Sequence, residues 1–352
     1  MTDMQYQPLV ELTRGNITES IHSGAIAVVN SKNELLASYG DPETVTFLRS
    51  SAKPFQALPV FEYGAIDQYH FTDQEIALIC ASHSGTDRHL AVITELQDKI
   101  GIQEKDLMCG THPPMDKQTE IAMLLRGEEP TQRRHNCSGK HTGMLAQAKI
   151  RGISPDNYID LQHPVQQADL KAFAEMCDIA VDQVEIGIDG CSVPVYAIPM
   201  RNAAYGFARL ADPQGLAPKR AEACRRITRA MMTHPFMVAG PDRFDTALME
   251  AFEGKIFTKT GAEGYQAIGI MPGVLGPDSP GVGITIKISD GDLKDRARPT
   301  ASLEVLRQLG IHFTSRQKET LERFDCPPVK NWRKIVVGQT RSVFTLKTNL
   351  ED

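Results

Sequence analysis

Strand-forming segments occupy both ends of this chain, and helical ones fill its middle. Near the N-terminus the runs GAIAVVN and ELLASYG flank Ser31-Lys32-Asn33, a turn-forming triplet, so they read as a hairpin. The run TVTFL follows. It leads into SAKPFQALPVFEYG, which has Pro54 in its first turn and Ala57, Leu58 and Phe61 inward. That spacing predicts a helix entered from a strand and ending near Gly64. In the middle, Leu90, Ile93, Leu96 and Ile100 recur at helical spacing before Gly101. Leu170, Phe173, Ala174 and Cys177 repeat the pattern, as do Ala223, Ile227, Ala230 and Met231; these stripes are core faces. Late in the chain YQAIGIM precedes a Pro/Gly-rich loop. VGITIKISDGD then alternates Ile284, Ile286 and Ile288 with Thr285, Lys287 and Ser289, the pattern of a half-buried strand.

The order strands, helices, strands predicts an α+β fold. One antiparallel sheet takes strands from roughly residues 1–80 and 255–352, and a mainly helical lobe from roughly 81–254 is inserted between them. No repeat or low-complexity tract divides the 352 residues, so a single domain is expected. A formal charge of −6 and a pI near 6.0 argue against a nucleic-acid partner, because phosphate binding needs a basic surface. No run of 18 apolar residues is present, so no membrane span is expected. The opening residues MTDMQYQPLVELTRGN lack a basic region followed by an apolar one, which points to a cytoplasmic location. Seven cysteines, scattered from Cys80 to Cys326, suit a reducing compartment.

Ser50-Ser51-Ala52-Lys53 reads S-x-x-K. A serine hydroxyl is a weak nucleophile until a base removes its proton. Residues three apart share a helix face, with Cβ atoms about 5–6 Å apart, so a lysine at +3 reaches the serine. To act as that base a lysine must be neutral. Lowering an amine from about 10.4 to roughly 7–8 corresponds to about 4 kcal/mol, which burial and a second cation can supply. A second S-x-x-K at Ser315 to Lys318 opens a polar amphipathic segment, where Thr314 or Ser315 reads as an N-cap.

Lys259-Thr260-Gly261 reads K-T-G just before a strand-like run. In β-lactamases and penicillin-binding proteins, S-x-x-K is followed much later by K-T-G on a strand lining the same site. The S-D-N element of that class is missing here. Between the two motifs lies CASHSGTDRH, where Ser82, His83 and Ser84 cluster before Gly85. A serine there offers a second partner for a lysine; a cluster of turn and N-cap residues is the plainer reading. Two further turns hold cysteines. HNCSGKHTGML places Cys137, Lys140 and His141 within one turn, and GIDGCSVPVYAIP holds Asp189 and Cys191. No C-x-x-C is present, so spacing alone leaves these as inert cysteines.

Taken together, RSSAKPFQ, ASHSG, CSGKHTGM, GIDGCSVP and KTGAEG resemble the signature motifs of the class 3, rhizobial-type L-asparaginases, the asparaginase II family, in that family's order from Arg49 to Gly264. The resemblance implies a fold similar to serine β-lactamases and glutaminases. It implies two serine–lysine couples, Ser50 with Lys53 and Ser82 with Lys259. It also implies a zinc ion held by Cys137, Lys140 and Cys191, with Asp189 and His141 beside those ligands. A homodimer and L-asparagine as substrate are further expectations, with Arg49 as a candidate for the substrate carboxylate. Three rivals stand beside this reading. One is a glutaminase, one a penicillin-recognising serine hydrolase, and one a zinc-binding regulatory or structural protein without activity.

Overall fold

The structure is a computed structural model and describes residues 5–348. The start of the segment read above as lacking a leader, residues 1–4, lies outside the described residues. Along the chain come β1 (Gln7–Arg14), β2 (Ile17–Asn30), β3 (Leu35–Tyr39) and β4 (Val45–Phe47). Two short strands, β5 (Glu185–Ile188) and β6 (Pro194–Pro199), interrupt the helical middle. The chain closes with β7 (Ile256–Gly261), β8 (Tyr265–Ile270), β9 (Val282–Ile288), β10 (Pro328–Lys330), β11 (Val336–Ser342) and β12 (Lys347–Thr348).

The main sheet runs β10-β11-β1-β2-β9-β8-β7, with β3 attached to β2 and to β12. Strands from both chain ends therefore share one antiparallel sheet, as the order of segments required. The long strand β2 changes partner along one edge. Its first half pairs with β1 (Arg14 opposite Ile17) and its second with β3 (Ala27 opposite Ser38). A strand with two successive neighbours bends the sheet around it.

The chain divides into two compact units. One holds the sheet: residues up to Ser51, Ile198–Asp212, and from Thr258 onward. The other spans Ala52–Ala197 and Pro213–Phe257 and is mainly helical. The first seam thus falls inside S-S-A-K rather than near residue 80, and one mid-chain helix, Met200–Ala211, belongs to the sheet unit. That helix corrects one expectation. β9 is buried along its whole length, not on alternate residues. Its polar side is covered by Met200–Ala211: Thr285 donates its hydroxyl to the Met200 carbonyl at 3.0 Å. A Cβ added to Gly283 would meet the Ala204 carbonyl at 1.8 Å, so only glycine lets the helix lie this close.

The expected helix after Ser50 is broken. A 3₁₀ turn, Arg49–Ala52, leads to two short helices, Lys53–Gln56 and Leu58–Glu62, and Gly64 ends the run at φ +84°. Pro54 and Pro59 each remove a backbone donor, and two pieces joined at Ala57 result. Phe55 packs edge-on to Phe173 at 5.6 Å, and Phe173 lies 4.7 Å from the ring of Tyr196. The helix Ser138–Ile150 runs through the interior of the same unit. A Cβ on its Gly139 would meet the Leu78 carbonyl at 2.0 Å.

Candidate active site

Lys53 is the centre of the helical unit's polar chemistry, 1% exposed. Its amine meets the Ala81 carbonyl at 2.5 Å, the Ser82 hydroxyl at 2.9 Å and the Asn136 carbonyl at 3.4 Å. Two of these oxygens only accept, and the third both donates and accepts. The amine donates to all three, and no partner in the set carries a charge.

The loop that carries Ser82 is held from several sides. The helix Asp73–Ile79 ends before it, and Thr86 caps the next helix, Asp87–Ile100, in a capping box with His89. The Ser82 N–H donates to the Val238 carbonyl at 2.9 Å, and Ser84 donates to the Ala239 carbonyl at 2.7 Å. Gly85 has φ +71°, and a Cβ there would meet the Arg134 carbonyl at 2.8 Å, which explains the glycine of A-S-H-S-G.

Buried histidines surround this loop, and the backbone fixes their protons. His83 Nδ1 accepts from the Gly85 N–H, so its Nε2–H donates to Ser138 at 2.9 Å; His83 thus pairs with Ser138, not with Ser82 or Ser84. His89 Nδ1 accepts from Thr86, and its Nε2–H donates to the Phe236 carbonyl at 2.9 Å. His135 Nδ1 accepts from the Cys137 N–H at 3.0 Å. All three are neutral. Burial holds His83 well below its ordinary pKa and lowers His89 and His135 to about 4.

In the sheet unit, Arg49 has φ +51°, a left-handed backbone that a bulky side chain rarely adopts. Ser50 follows, half-buried. Its hydroxyl makes no hydrogen bond among the described residues. The fully buried Ser51, which the motif reading passed over, donates to the Lys259 carbonyl at 2.6 Å. Lys259 is itself buried on β7, with its amine on the Thr260 carbonyl at 2.8 Å. Ser315 has no such setting; it begins a helix capped by Thr314 in a capping box with Gln317.

The two cysteine turns meet inside the helical unit. Cys137 precedes the helix Ser138–Ile150, and Lys140 in its first turn donates to the Cys191 sulfur at 3.0 Å. Contact with Cys191 drives the Cys137 thiol well below its usual range, assisted by the charges of Lys53 and Lys140. The same contact, with burial, raises the Cys191 thiol. Burial opposes the charge of Lys140, yet Cys191, Cys137 and Asp189 together push its pKa up. His141 faces Cys191 and is lowered to about 4 by burial. Its Nδ1 meets the Tyr158 hydroxyl at 2.6 Å, and its Nε2 has no hydrogen-bond partner among the described residues. Cys109, which the sequence reading did not single out, joins this cluster and is raised to about 12 by burial and by the two sulfurs.

Two sulfurs, an amine and an unsatisfied imidazole nitrogen are soft donors of the kind zinc takes. Among the described residues, no three His, Cys, Asp or Glu side chains gather closely enough to hold a metal by themselves. A metal here would need the Lys140 amine, deprotonated.

The family profile described as L-asparaginase II matches residues 10–342. The chain belongs to the L-asparaginase II family, a family of amide-hydrolysing enzymes. No curated protein sequence matches it. Solved structures with some likeness include Mglu in its native form, at 15% identity over 82% of this chain, with a TM-score of 0.35. This chain spans 64% of the length of Mglu. A beta-lactamase from Mycobacterium bovis is 14% identical over 82% of this chain and 95% of its own, with a TM-score of 0.42. The Bacillus subtilis glutaminase YbgJ, in covalent complex with 5-oxo-L-norleucine, is 12% identical over 80% of this chain and 88% of its own, with a TM-score of 0.36. At these scores the likenesses add nothing to the fold described above. Among the described residues, no helix is long and apolar enough to cross a membrane.

Proposed function

We propose that this protein hydrolyses the side-chain amide of L-asparagine to aspartate and ammonia, with Ser50 as nucleophile and Lys53 as base. The observation that carries the reading is the hydrogen bond from buried Lys53 to Ser82 at 2.9 Å, among uncharged oxygens. Lys53 stands three residues after Ser50 and touches a second hydroxyl. In its neutral form it takes the proton of Ser50 as the serine oxygen attacks the amide carbon. The tetrahedral intermediate then collapses. The C–N bond breaks, and Ser82 relays the proton from Lys53 to the departing nitrogen. Water attacks the Ser50 ester, its proton returns to the serine oxygen, and aspartate leaves. Lys259 contributes a second positive charge, and backbone N–H groups at the Arg49–Ala52 turn receive the oxyanion. Arg49 takes the substrate's α-carboxylate.

Ammonia release from L-asparagine by the wild type, and its loss in Ser50→Ala, tests the activity. L-Glutamine, one methylene longer, is assayed beside it and is expected to be the poorer substrate. A diazoketone analogue of the substrate is expected to label Ser50 by mass spectrometry; a label on Ser82 alone overturns the assignment. Cys137, Lys140 and Cys191 would hold a zinc ion, which supplies a fixed positive charge when bound. Cys137→Ser and Cys191→Ser are each expected to lower the metal content and to raise KM more than they lower kcat. Unchanged metal content in both counts against the site. The protein is further proposed to be a homodimer, checked by light scattering on the eluting peak of a sizing column.

A further inference from the structure

Under the K-T-G strand lies a buried arginine that the proposed mechanism does not use. Arg298 is 2% exposed and opens the helix Arg298–Gln308. One guanidinium nitrogen donates both to the Thr260 hydroxyl at 2.5 Å and to Gln266 Oε1 at 2.6 Å. The Thr260 hydroxyl in turn donates to Gln266 Oε1 at 3.1 Å. Gln266 Nε2 donates to the Thr258 hydroxyl at 2.5 Å, and that hydroxyl donates to the Ala267 carbonyl at 2.9 Å. A second guanidinium nitrogen is held by Asp295. Asp292 accepts from the backbone N–H groups of Ala297 at 3.0 Å and Arg298 at 2.8 Å, fixing the start of the helix.

Successive side chains of a strand point to opposite faces. Thr258 and Thr260 therefore share one face of β7, and Lys259 is on the other. Among the described residues β7 is the terminal strand of its sheet, so on one side no partner strand sets its register. On that strand Ser51 holds the Lys259 carbonyl at 2.6 Å. A Cβ added to Gly261 would meet the Leu48 carbonyl at 2.4 Å, so the strand lies hard against the segment that ends in Ser51.

We propose that Arg298 is a positioning residue for the hydrolysis: through Thr260 and Gln266 it clamps the face of β7 opposite Lys259 and so fixes where the Lys259 amine stands. This rests on the reading of Lys259 as part of the machinery. A guanidinium suits the task because one nitrogen of its planar fork holds Thr260 and Gln266 while the other is anchored on Asp295, a rigid span that a single ammonium nitrogen on a flexible stem does not provide.

The test uses the full chain with Arg298→Gln, Arg298→Lys, Gln266→Leu and Lys259→Met. Asparagine hydrolysis is measured well below each variant's unfolding midpoint. Arg298→Gln and Gln266→Leu are each expected to lower kcat about tenfold or more while KM moves less than about threefold, and Arg298→Lys recovers part of the loss. In the Lys259→Met background, Arg298→Gln is expected to add less than about twofold, since both changes remove one function. If Arg298→Gln does not fold, Gln266→Leu carries the test. A lowered midpoint with kcat within about twofold of wild type in the folded variants overturns the clamp, as does full multiplicativity with Lys259→Met. Lys259→Met with wild-type kcat removes Lys259 from the mechanism and the clamp with it. An inactive Lys259→Met beside an active Gln266→Leu overturns the clamp alone.

Discussion

Two buried lysines of the helical unit show how neighbours decide what an amine can do. Lys53 and Lys140 are 1% and 3% exposed. Lys53 is surrounded by two carbonyls and a hydroxyl, all uncharged. Lys140 donates to the Cys191 sulfur, and the Cys137 thiol in the same cluster is held well below its usual range by Cys191 and the nearby cations. An amine among neutral acceptors can hand its proton on without breaking an ion pair. One beside two cysteine sulfurs and the Asp189 carboxylate has its charged form favoured until something replaces that proton. Under the proposed function, similar burial serves a proton carrier in one place and a fixed charge, or a metal ligand, in the other.

Replacing each lysine by methionine separates the two roles. Lys53→Met is expected to cut kcat by about a thousandfold or more, because the serine loses its base. The unfolding midpoint is expected to move little, since methionine fills a similar volume. A kcat within about tenfold of wild type would remove Lys53 from the chemistry. Lys140→Met is expected to do the reverse. It leaves the buried Cys191 sulfur without its donor, a loss of about 1–3 kcal/mol for a buried group left unsatisfied. Thermal unfolding reads that loss, and a midpoint equal to wild type would show that the Lys140–Cys191 contact does not stabilise the fold.

Acid sharpens the contrast from another side. The histidines around the Ser82 loop are neutral when folded, with His89 lowered to about 4 by burial. The unfolded chain takes up protons near pH 6.5. Stability from these residues is therefore complete above about pH 6.5 and falls as the pH drops toward about 4. His89 alone corresponds to roughly 3 kcal/mol over that window. Chemical denaturation at pH 7 and pH 4.5 measures it, and His89→Gln is expected to flatten the slope. An unchanged slope in that variant would show that His89 is not among the groups responsible.

Local signals in the sequence survived best. The order of strands and helices located the sheet, Gly101 closed its helix, and Thr314 capped the decoy S-x-x-K. Contacts between distant residues did not show. Nothing near Lys53 announces that its amine reaches Ser82, and nothing near Thr260 announces Arg298, because each pairing exists only once the chain has folded back. The alternation in β9 misled for a related reason. Thr285 and Lys287 are polar, yet the helix Met200–Ala211 covers Thr285 and the Glu263 carbonyl accepts from Lys287. The meeting of Cys137, Lys140 and Cys191 was legible only through the family resemblance, since spacing alone left two unremarkable cysteines.

The left-handed backbone at Arg49 has a practical consequence for anyone improving this protein. An L-residue in that conformation sacrifices about 1–2 kcal/mol that glycine would retain. A library screened for heat resistance will therefore drift toward Arg49→Gly, and one screened for turnover will drift back if the guanidinium meets the substrate. Running both selections in parallel turns a single dihedral angle into a reporter of which residues evolution keeps for chemistry and which for endurance.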